Sequence, residues 1–275
     1  MNGGLKIVGL TRVRNEELLI ADLLDHLAQW CDVVYVYDDC STDATLDIIS
    51  SFRGIPVHVL RGERWSENRL AEETVHRASL LRAASLAGFD WCVYIDADER
   101  LDFDLREHLE REPSRTRAIS LRLYDAYLTI DSDPYTGGSI ARLPRAYGVE
   151  YRDITMVWRG GARADFVGRD QREPTLGLFQ RVEKRDWRVK HFGKAISDAA
   201  WDAKCEYYAT YFPEPYKSKW AARKGHAAHQ VSDFGRPLVE WHQLHGENSV
   251  DITPLRNWRS LFRRAQVDLA RVLPS

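Results

Sequence analysis

Residues 91–99, WCVYIDADE, form an apolar run that ends abruptly in carboxylates. Near-continuous apolar character is typical of a strand covered on both faces, so residues 91–95 are predicted to be a buried strand. On such a strand Asp96 and Asp98 would project to the same side. Ligands of open α/β sheets bind at this end of the strands, and two hard oxygen ligands suit Mg²⁺ or Mn²⁺. The stretch predicts either a cation site or a solvated acidic turn, because isolated Asp-x-Asp tripeptides are common.

The chain before this stretch alternates between strand and helix patterns. Short apolar runs predict strands at residues 5–10, 33–37 and 57–60, and helical spacing predicts helices at 16–29, 43–52 and 67–87. This alternation favours a parallel sheet with right-handed crossovers. Asp38 and Asp39 directly follow the second strand, so two strands end in acids at one predicted sheet edge. The repetition favours a ligand site over a solvated turn.

The second half of the chain has weaker patterns. Residues 116–128 alternate and predict a further strand, 131–180 are expected to be loops, and 198–212 and 217–230 predict helices. We therefore predict an α/β domain over 1–195, with a mostly parallel central sheet flanked by helices. A C-terminal helical region over 196–275 is expected to follow it.

Composition excludes several classes of protein. The 275-residue chain has a net charge of −2, which gives no argument for nucleic-acid binding. Its four cysteines are scattered, which argues against a zinc ribbon or disulfide framework and fits a reducing compartment. There is no signal-peptide pattern and no apolar run near the roughly 20 residues that span a bilayer. We expect a cytoplasmic protein.

Residues 7–52 and 91–99 together resemble family 2 glycosyltransferases of the GT-A fold, which is Rossmann-like. The resemblance covers about residues 5–105 and rests on Arg-Asn-Glu at 14–16, Asp-Asp-x-Ser-x-Asp at 38–43 and Asp-x-Asp-Glu at 96–99. It implies transfer of a sugar from a nucleotide-diphosphate sugar to a hydroxyl acceptor, usually with inversion. Residues 1–105 would bind the donor and 106–195 the acceptor.

The resemblance also implies roles for single residues. The first two motifs would cradle the nucleobase and ribose, and Asp98 would be the main ligand of a Mn²⁺ or Mg²⁺ ion that holds the diphosphate. Asp96 would face the ribose or a metal-bound water. His191 would be a third metal ligand or another active-site residue; the alternative is a hydrogen-bonded histidine of the core. The predicted donor-binding residues are Thr11, Arg12, Arg14, Asn15, Asp38, Asp39, Arg77, Asp96, Ala97 and Asp98; the predicted metal ligands are Asp96, Asp98 and His191.

An inverting transferase needs a carboxylate as general base on the acceptor hydroxyl. Glu150, Asp153, Asp165 and Asp170 are candidates, and each could instead be a surface acid in a loop. Asp153 is favoured because it follows a probable strand. The predicted catalytic residues are Asp153, Asp170 and His191.

Three further features qualify this interpretation. Cys40 stands where the family very often has glycine, so the turn after Asp39 is expected to differ in shape. Arg142 and Arg145 resemble an arginine pair that binds an anionic acceptor, or they pair with local acids. Residues 254–272 have a basic amphipathic pattern that either contacts an anionic membrane, which would suit a lipid-linked acceptor, or packs on the domain.

Two rival functions are considered. A nucleotidyltransferase also combines a parallel sheet, acids and a metal, but residues 11–14 are not the glycine-rich phosphate loop expected after its first strand. A catalytically silent sugar-nucleotide-binding module would keep the site but lack the base.

Overall fold

The computed structural model describes residues 4–63, 69–168, 170–177, 180–246 and 249–255. The strands are β1 (Ile7–Val13), β2 (Val33–Asp38), β3 (Val57–Arg61), β4 (Trp91–Tyr94), β5 (Glu99–Leu101), β6 (Ala118–Tyr127), β7 (Ala146–Arg159), β8 (Val182–His191), β9 (Val239–Glu240) and β10 (Thr253–Pro254). The α-helices are α1 (Ile20–Leu27), α2 (Thr45–Ser51), α3 (Arg69–Ala87), α4 (Leu105–Glu110), α5 (Asp198–Tyr211) and α6 (Tyr216–Ala221). Short 3₁₀ helices cover Ile140–Arg142, Gly160–Ala162 and Trp241–Leu244.

The described strands form one sheet in the order β3-β2-β1-β4-β7-β6-β8-β5, and β9 and β10 also pair with β7. Strands β1 to β4 are mutually parallel where they pair, whereas β7 runs antiparallel to both β4 and β6. Of the nine described strand pairings, five are parallel. The prediction of an α/β fold with a mostly parallel sheet is confirmed.

Side-chain alternation along the strands divides the core between the two faces of the sheet. Trp91 and Val93 of β4 pack in the cluster that contains the α1 leucines, whereas Cys92 and Tyr94 pack in the cluster that contains Leu80 of α3. Helices therefore cover both faces, which explains why β4 is apolar at every position. Fully burying one leucine contributes about 1.5–3 kcal/mol, so these two layers fix the sheet edge that carries Asp39 and Asp98.

The second half of the chain departs most from the expected elements. The span 131–180 contains β7, a 14-residue strand in the interior of the sheet, where loops were predicted. The predicted helix at 217–230 is too long, because α6 ends at Ala221 and Gly225 then takes a φ of 78°. The region after 196 also contributes β9 and β10 to the sheet, and the division at residue 195 stays a prediction.

The last described residues join the sheet rather than forming a helix. Thr253 and Pro254 pair with β7, and Leu255 donates its backbone N–H to Tyr151 O at 2.8 Å. The rest of the amphipathic stretch 254–272 lies outside the described residues, so its predicted membrane contact stays a prediction. Within the described part of the chain, no helix combines the length and apolar character that crossing a bilayer requires.

Candidate active site

The loops that follow β1 and β2 are tied together by hydrogen bonds. Arg14 Nη1 donates to the carbonyl oxygens of Asp39 and Cys40 at 2.6 and 2.8 Å, and Asn15 Oδ1 accepts from Thr42 N at 2.8 Å. Cys40 adopts a φ of 56°, a left-handed conformation that favours glycine. The cysteine therefore adopts a backbone conformation that glycine adopts easily. This φ angle gives no indication of the difference in shape that was expected for the turn after Asp39.

Asp39 is the centre of a buried group of charges, which we call the Asp39 cluster and define as Asp39, Arg12, Arg69 and His76. The guanidiniums of Arg12 and Arg69 both contact Asp39 Oδ2, at 2.5 Å for Arg12. His76 lies 3.9 Å from Asp39 Oδ1 and stacks on the Tyr37 ring at 4.0 Å. Burial and the neighbouring arginines lower the pKa of His76 to about 3. The imidazole is therefore neutral, so the positive charge that contacts Asp39 comes from the two guanidiniums. Glu73 pairs in turn with Arg12, and Glu72 pairs with Arg69.

Two buried polar atoms lie in the strands that lead into this cluster. Thr11 Oγ1 and Asp38 Oδ1 have no hydrogen-bond partner among the described residues. Leaving such a group unsatisfied costs about 1–3 kcal/mol, so native proteins usually pair it. A ligand or water that supplies donors at this edge would remove that cost.

Asp39, Glu72 and His76 also offer ligand atoms within 4.8 Å of one another, a spacing that could hold a metal ion. The charges argue against a cation there, because two guanidiniums already contact the carboxylate. Like charges at such short range repel strongly in a low-dielectric site. We regard this end as suited to a polar ligand.

A chain of ion pairs connects the Asp39 cluster to the acids after β4. Arg12 Nη1 lies 3.4 Å from Glu73 Oε1, and Glu73 Oε2 lies 3.6 Å from Arg77 Nη1. Arg77 Nη2 lies 4.0 Å from Asp96 Oδ1, and its Nε donates to Tyr94 OH at 3.1 Å. The predicted residues of β1, β2, α3 and the β4 end are thus neighbours along one sheet edge.

Asp96 and Asp98 lie in a turn, not on a strand. β4 ends at Tyr94, Glu99 N donates to Asp96 O at 3.1 Å, and Asp96 N donates to Glu99 Oε2 at 2.9 Å. The two-residue alternation of a strand therefore does not apply to them, and they face different partners. Asp96 lies 3.4 Å from the Arg172 guanidinium, which also pairs with buried Glu99. Burial alone would raise the pKa of Asp96, but Arg172 and Arg77 hold it below its usual value.

The second carboxylate forms what we call the Asp98 cluster: Asp98, His191, Lys204 and Asp125. Asp98 Oδ2 lies 3.4 Å from His191 Nε2 and 3.1 Å from Lys204 Nζ. Asp125 Oδ1 lies 2.6 Å from His191 Nδ1. Burial raises the pKa of Asp98, but Lys204 and His191 outweigh it and hold the pKa well below the usual range. Asp98 is therefore a carboxylate at neutral pH.

Gly193 leaves room at this cluster that no other residue would leave. A Cβ at position 193 would lie 2.6 Å from Asp98 Oδ2 and 2.8 Å from His191 Nε2, closer than real Cβ atoms approach. The nearest atom of all would be Lys204 Nζ, so a larger residue at position 193 would displace the side-chain ends of this cluster. The absent side chain keeps space beside the carboxylate oxygen and the imidazole nitrogen.

Asp98 and His191 fit a divalent cation by the chemistry of their donors. A histidine whose Nδ1 is held by a carboxylate, as Asp125 holds His191, presents Nε2 in the orientation of a metal ligand. Carboxylate oxygen and imidazole nitrogen both suit Mn²⁺. Of the predicted metal trio, Asp98 and His191 are together, whereas Asp96 is turned towards Arg172 and Arg77.

The predicted catalytic acids are not grouped at this cluster. Asp153 lies within β7 and pairs with Lys184 of β8 at 2.5 Å. Asp170 precedes Gln171, whose carbonyl oxygen accepts a hydrogen bond from Arg77 at 3.2 Å. The loop that contains Asp170 therefore adjoins the site. Glu150 accepts from Ser232 at 3.0 Å, and Asp165 accepts from its neighbour Phe166. The general base stays a prediction.

The other predicted residues have structural contacts. Ala97 O accepts from Arg100 at 2.9 Å within the turn. Arg145 donates to the backbone oxygens of Ala195, Pro144 and Asp133. It lines, with Arg142 and Lys190, a cavity of about 590 Å³. Lys190 and His191 are consecutive in β8 and point to opposite faces, so this cavity and the Asp98 cluster lie on different sides of that strand.

Several site residues carried no signal that sequence reasoning used. Arg172 follows a loop without periodicity, and Lys204 and Tyr207 belong to α5, far along the chain from Asp98 and Arg69. Asp125 is one residue in an alternating strand. The one local signal used in this part of the chain was a histidine, His191, followed two residues later by a glycine, Gly193.

Comparison with known proteins decides the family of the N-terminal part. Residues 11–124 match the family model described as glycosyl transferase family 2. The chain carries a family 2 glycosyltransferase segment. The resemblance inferred from the Arg-Asn-Glu, Asp-Asp and Asp-x-Asp motifs is confirmed, and the matched residues include Asp39, Arg77 and Asp98.

Curated relatives match this chain over part of their length. Protein Rv3786c of Mycobacterium tuberculosis is 33% identical over 123 residues, which are 42% of this chain and 29% of the relative. The lipopolysaccharide core biosynthesis glycosyltransferase LpsC of Rhizobium meliloti is 28% identical over 161 residues, which are 55% of this chain and 50% of the relative. The chain thus spans half or less of the length of these relatives.

A solved structure is also similar. The crystal structure of S. aureus TarS residues 1–349 aligns with a TM-score of 0.44 and 14% identity, covering 78% of this chain and 68% of that one. At this score the likeness adds nothing to the family match.

Proposed function

We propose that this chain transfers a glycosyl group from a nucleotide-diphosphate sugar to a hydroxyl acceptor, with a divalent metal ion at Asp98 and His191. The observation that supports this most is the chain of ion pairs from Asp39 through Arg12, Glu73 and Arg77 to Asp96. It makes the Asp39 cluster, with its two guanidiniums, and the carboxylates after β4 neighbours on one sheet edge. A sugar nucleotide has matching parts: a polar nucleoside, an anionic diphosphate and a sugar.

The nucleoside is assigned to the β1 and β2 ends. Thr11 Oγ1 and Asp38 Oδ1 are buried acceptors without described partners, and ribose hydroxyls or base N–H groups are donors that would satisfy them. Arg14 and Asn15 contribute by holding the two loops in place. Position 40 does not identify the base, so the nucleotide is left to experiment.

The diphosphate is assigned to the arginines between the two clusters. Arg77 and Arg172 both face Asp96, and guanidinium groups bind phosphate oxygens through paired hydrogen bonds. Asp96 would then lie beside the ribose or the diphosphate, and Asp98 and His191 would hold the cation. The chemistry supplied there by bound Mn²⁺ or Mg²⁺ is neutralisation of charge on the leaving diphosphate.

In the proposed reaction, the acceptor oxygen forms a bond to the anomeric carbon. The bond from that carbon to the phosphate oxygen breaks, and the nucleoside diphosphate leaves with the electron pair. The acceptor proton passes to a carboxylate base. Asp170, two residues before Arg172, is proposed as that base, and inversion is part of the proposal.

The acceptor is proposed to be a saccharide or lipid-linked glycan. The support is the partial similarity to LpsC, a lipopolysaccharide core biosynthesis glycosyltransferase. Proposed peripheral contact with the inner face of a membrane through residues 254–272 would bring such an acceptor close.

A thermal-shift panel tests the donor site. Nucleoside diphosphates and sugar nucleotides are added with and without Mn²⁺, because a ligand that binds only the folded state raises its stability by mass action, about 2.7 kcal/mol at 100 times Kd. We expect one nucleotide to raise the Tm in a Mn²⁺-dependent manner, followed by transfer or slow donor hydrolysis with that sugar nucleotide. No shift with any nucleotide at millimolar levels would contradict the proposal. A shift without any turnover would favour the silent binding module.

A further inference from the structure

Helix α5 presents two different faces to the rest of the molecule. Trp201 and Cys205 are buried in a small core, and Trp201 Nε1 donates to Arg223 O at 3.0 Å. Lys204 and Tyr207, three residues apart, point instead to the active site, because residues at i and i+3 share a helix face. Lys204 contacts Asp98 at 3.1 Å, and Tyr207 OH accepts from Arg69 Nε at 3.3 Å. One helix face therefore touches both clusters.

The Lys204 ammonium contacts the carboxylate oxygen that would bind a metal ion. It and His191 Nε2 approach the same atom, Asp98 Oδ2, at 3.1 and 3.4 Å. A Cβ on Gly193 would lie within 2.8 Å of Lys204 Nζ, Asp98 Oδ2 and His191 Nε2, so the three side-chain ends converge beside the Gly193 backbone. An ammonium and a divalent cation on one carboxylate oxygen repel each other, and burial strengthens the repulsion.

We propose that Lys204 is the cation that neutralises Asp98 when no metal ion is bound, and that it must move away before a divalent metal ion can bind. This inference rests on the metal site of the proposed function and adds a residue that the family match at 11–124 does not reach. Metal binding then requires movement of Lys204. The α5 face that carries Lys204 and contacts Arg69 would move with it. The cost of displacing Lys204 weakens metal affinity until a donor diphosphate supplies further charge.

Mn²⁺ binding without any nucleotide tests this directly, with free Mn²⁺ measured by electron paramagnetic resonance. Lys204→Met keeps the length of the side chain and removes its charge, so we expect it to tighten Mn²⁺ binding at least tenfold. Lys224→Met is the matched control, because Lys224 pairs with Glu206 on the exposed side of α5. It should leave Mn²⁺ affinity unchanged. Asp98→Asn should abolish Mn²⁺ binding at this site, both in the wild type and in Lys204→Met.

An affinity of Lys204→Met for Mn²⁺ that is within twofold of the wild type, or weaker, would overturn the proposal. So would a failure of both proteins to bind Mn²⁺ at all. Hydrogen exchange of the unaltered chain gives an independent measurement if Lys204→Met folds poorly. Adding Mn²⁺ should speed amide exchange in residues 198–211, and unchanged exchange at saturating Mn²⁺ would count against the displacement. Because these measurements use no donor, their outcome is separate from whether the chain transfers a sugar.

Discussion

The Asp39 cluster and the Asp98 cluster each follow a parallel strand, yet their surroundings differ. Asp39 is 1% exposed and is held by two guanidiniums that are themselves largely buried. Asp98 is 18% exposed in its side chain, and its cationic partners are a histidine and a lysine from a distant helix. The first arrangement is a buried network of ion pairs, and the second is a carboxylate whose cation we propose to be exchangeable. Similar acids at one sheet edge can therefore have opposite electrostatic roles.

Asp39→Asn should have the largest effect on stability. It removes the carboxylate that the buried guanidiniums of Arg12 and Arg69 share and leaves each with one glutamate partner, Glu73 or Glu72. Breaking a buried ion pair costs up to about 3–5 kcal/mol. Urea unfolding measures this loss. Asp102→Asn is a suitable control, because Asp102 pairs with Lys190 on the other side of β8. A loss below about 1 kcal/mol for Asp39→Asn, which is the range of an exposed ion pair, would mean that the cluster is not the rigid part of the site.

Asp98→Asn should instead affect turnover more than stability. With the donor found by thermal shift, we expect transfer to fall about 10²–10³-fold, the range for removing one electrostatic contact to a transition state. Steady-state rates at saturating Mn²⁺ provide the measurement. Transfer within tenfold of the wild type would show that the cation is not held by this carboxylate.

The two histidines should respond oppositely to pH. The pKa of His76 is lowered to about 3 by burial and nearby arginines, so the unfolded chain binds more protons than the folded one below its ordinary value of 6.5. Stability is then lost as pH falls, by about 2 kcal/mol at pH 5 from 1.36 kcal/mol per unit. Burial opposes protonation of His191, but Asp98 and Asp125 raise its pKa, so its contribution is lost as pH rises.

Urea unfolding at pH 5 and pH 7.5 distinguishes these contributions. His76→Gln should reduce the loss of stability at the lower pH. His191→Gln should leave that acid loss in place and reduce the decline at higher pH. The same pH dependence in both variants would remove the electrostatic distinction between the two clusters.

Cys40→Gly should give the smallest effect. Relief of the left-handed conformation at φ 56° is worth about 1–2 kcal/mol, partly offset by about 0.5–1 kcal/mol of glycine entropy and by loss of the Cys40 Sγ contact with Gly62 O. We expect a gain of up to about 1 kcal/mol in the free energy of unfolding. Cys40→Ala, which keeps the conformational cost, should show no gain; an equal gain in both variants would contradict the explanation.

The sequence predicted the first half of the fold better than the second because local patterns govern only the first half. Strands β1 to β4 alternate with helices, so apolar runs and helical spacing locate them within a few residues. β7 joins β4, β6, β9 and β10, and its partners are distant in sequence. Its residues are buried on both faces along most of its length, so it lacks a polar alternation that would mark it.

The site, like the fold, was predicted where its residues lie next to strands with a clear local pattern, and was missed elsewhere. Asp39 and Asp98 follow strands that apolar runs identify, whereas Arg172 and Lys204 reach them through tertiary contacts with no local signal. The two-residue argument for Asp96 and Asp98 failed because the Glu99 carboxylate accepts from Asp96 N and closes a turn there. A turn of this kind separates the partners of two neighbouring acids, which alternation along a strand does not foresee.

Calorimetric titration of the nucleoside diphosphate from the thermal-shift panel, with and without Mn²⁺, tests the division of roles most directly. The comparison uses the wild type, Asp39→Asn and Asp98→Asn. We predict that Asp98→Asn keeps the metal-free affinity and loses the gain from Mn²⁺, whereas Asp39→Asn binds weakly in both conditions. A full gain from Mn²⁺ in Asp98→Asn would contradict the assignment of the cation to the Asp98 cluster.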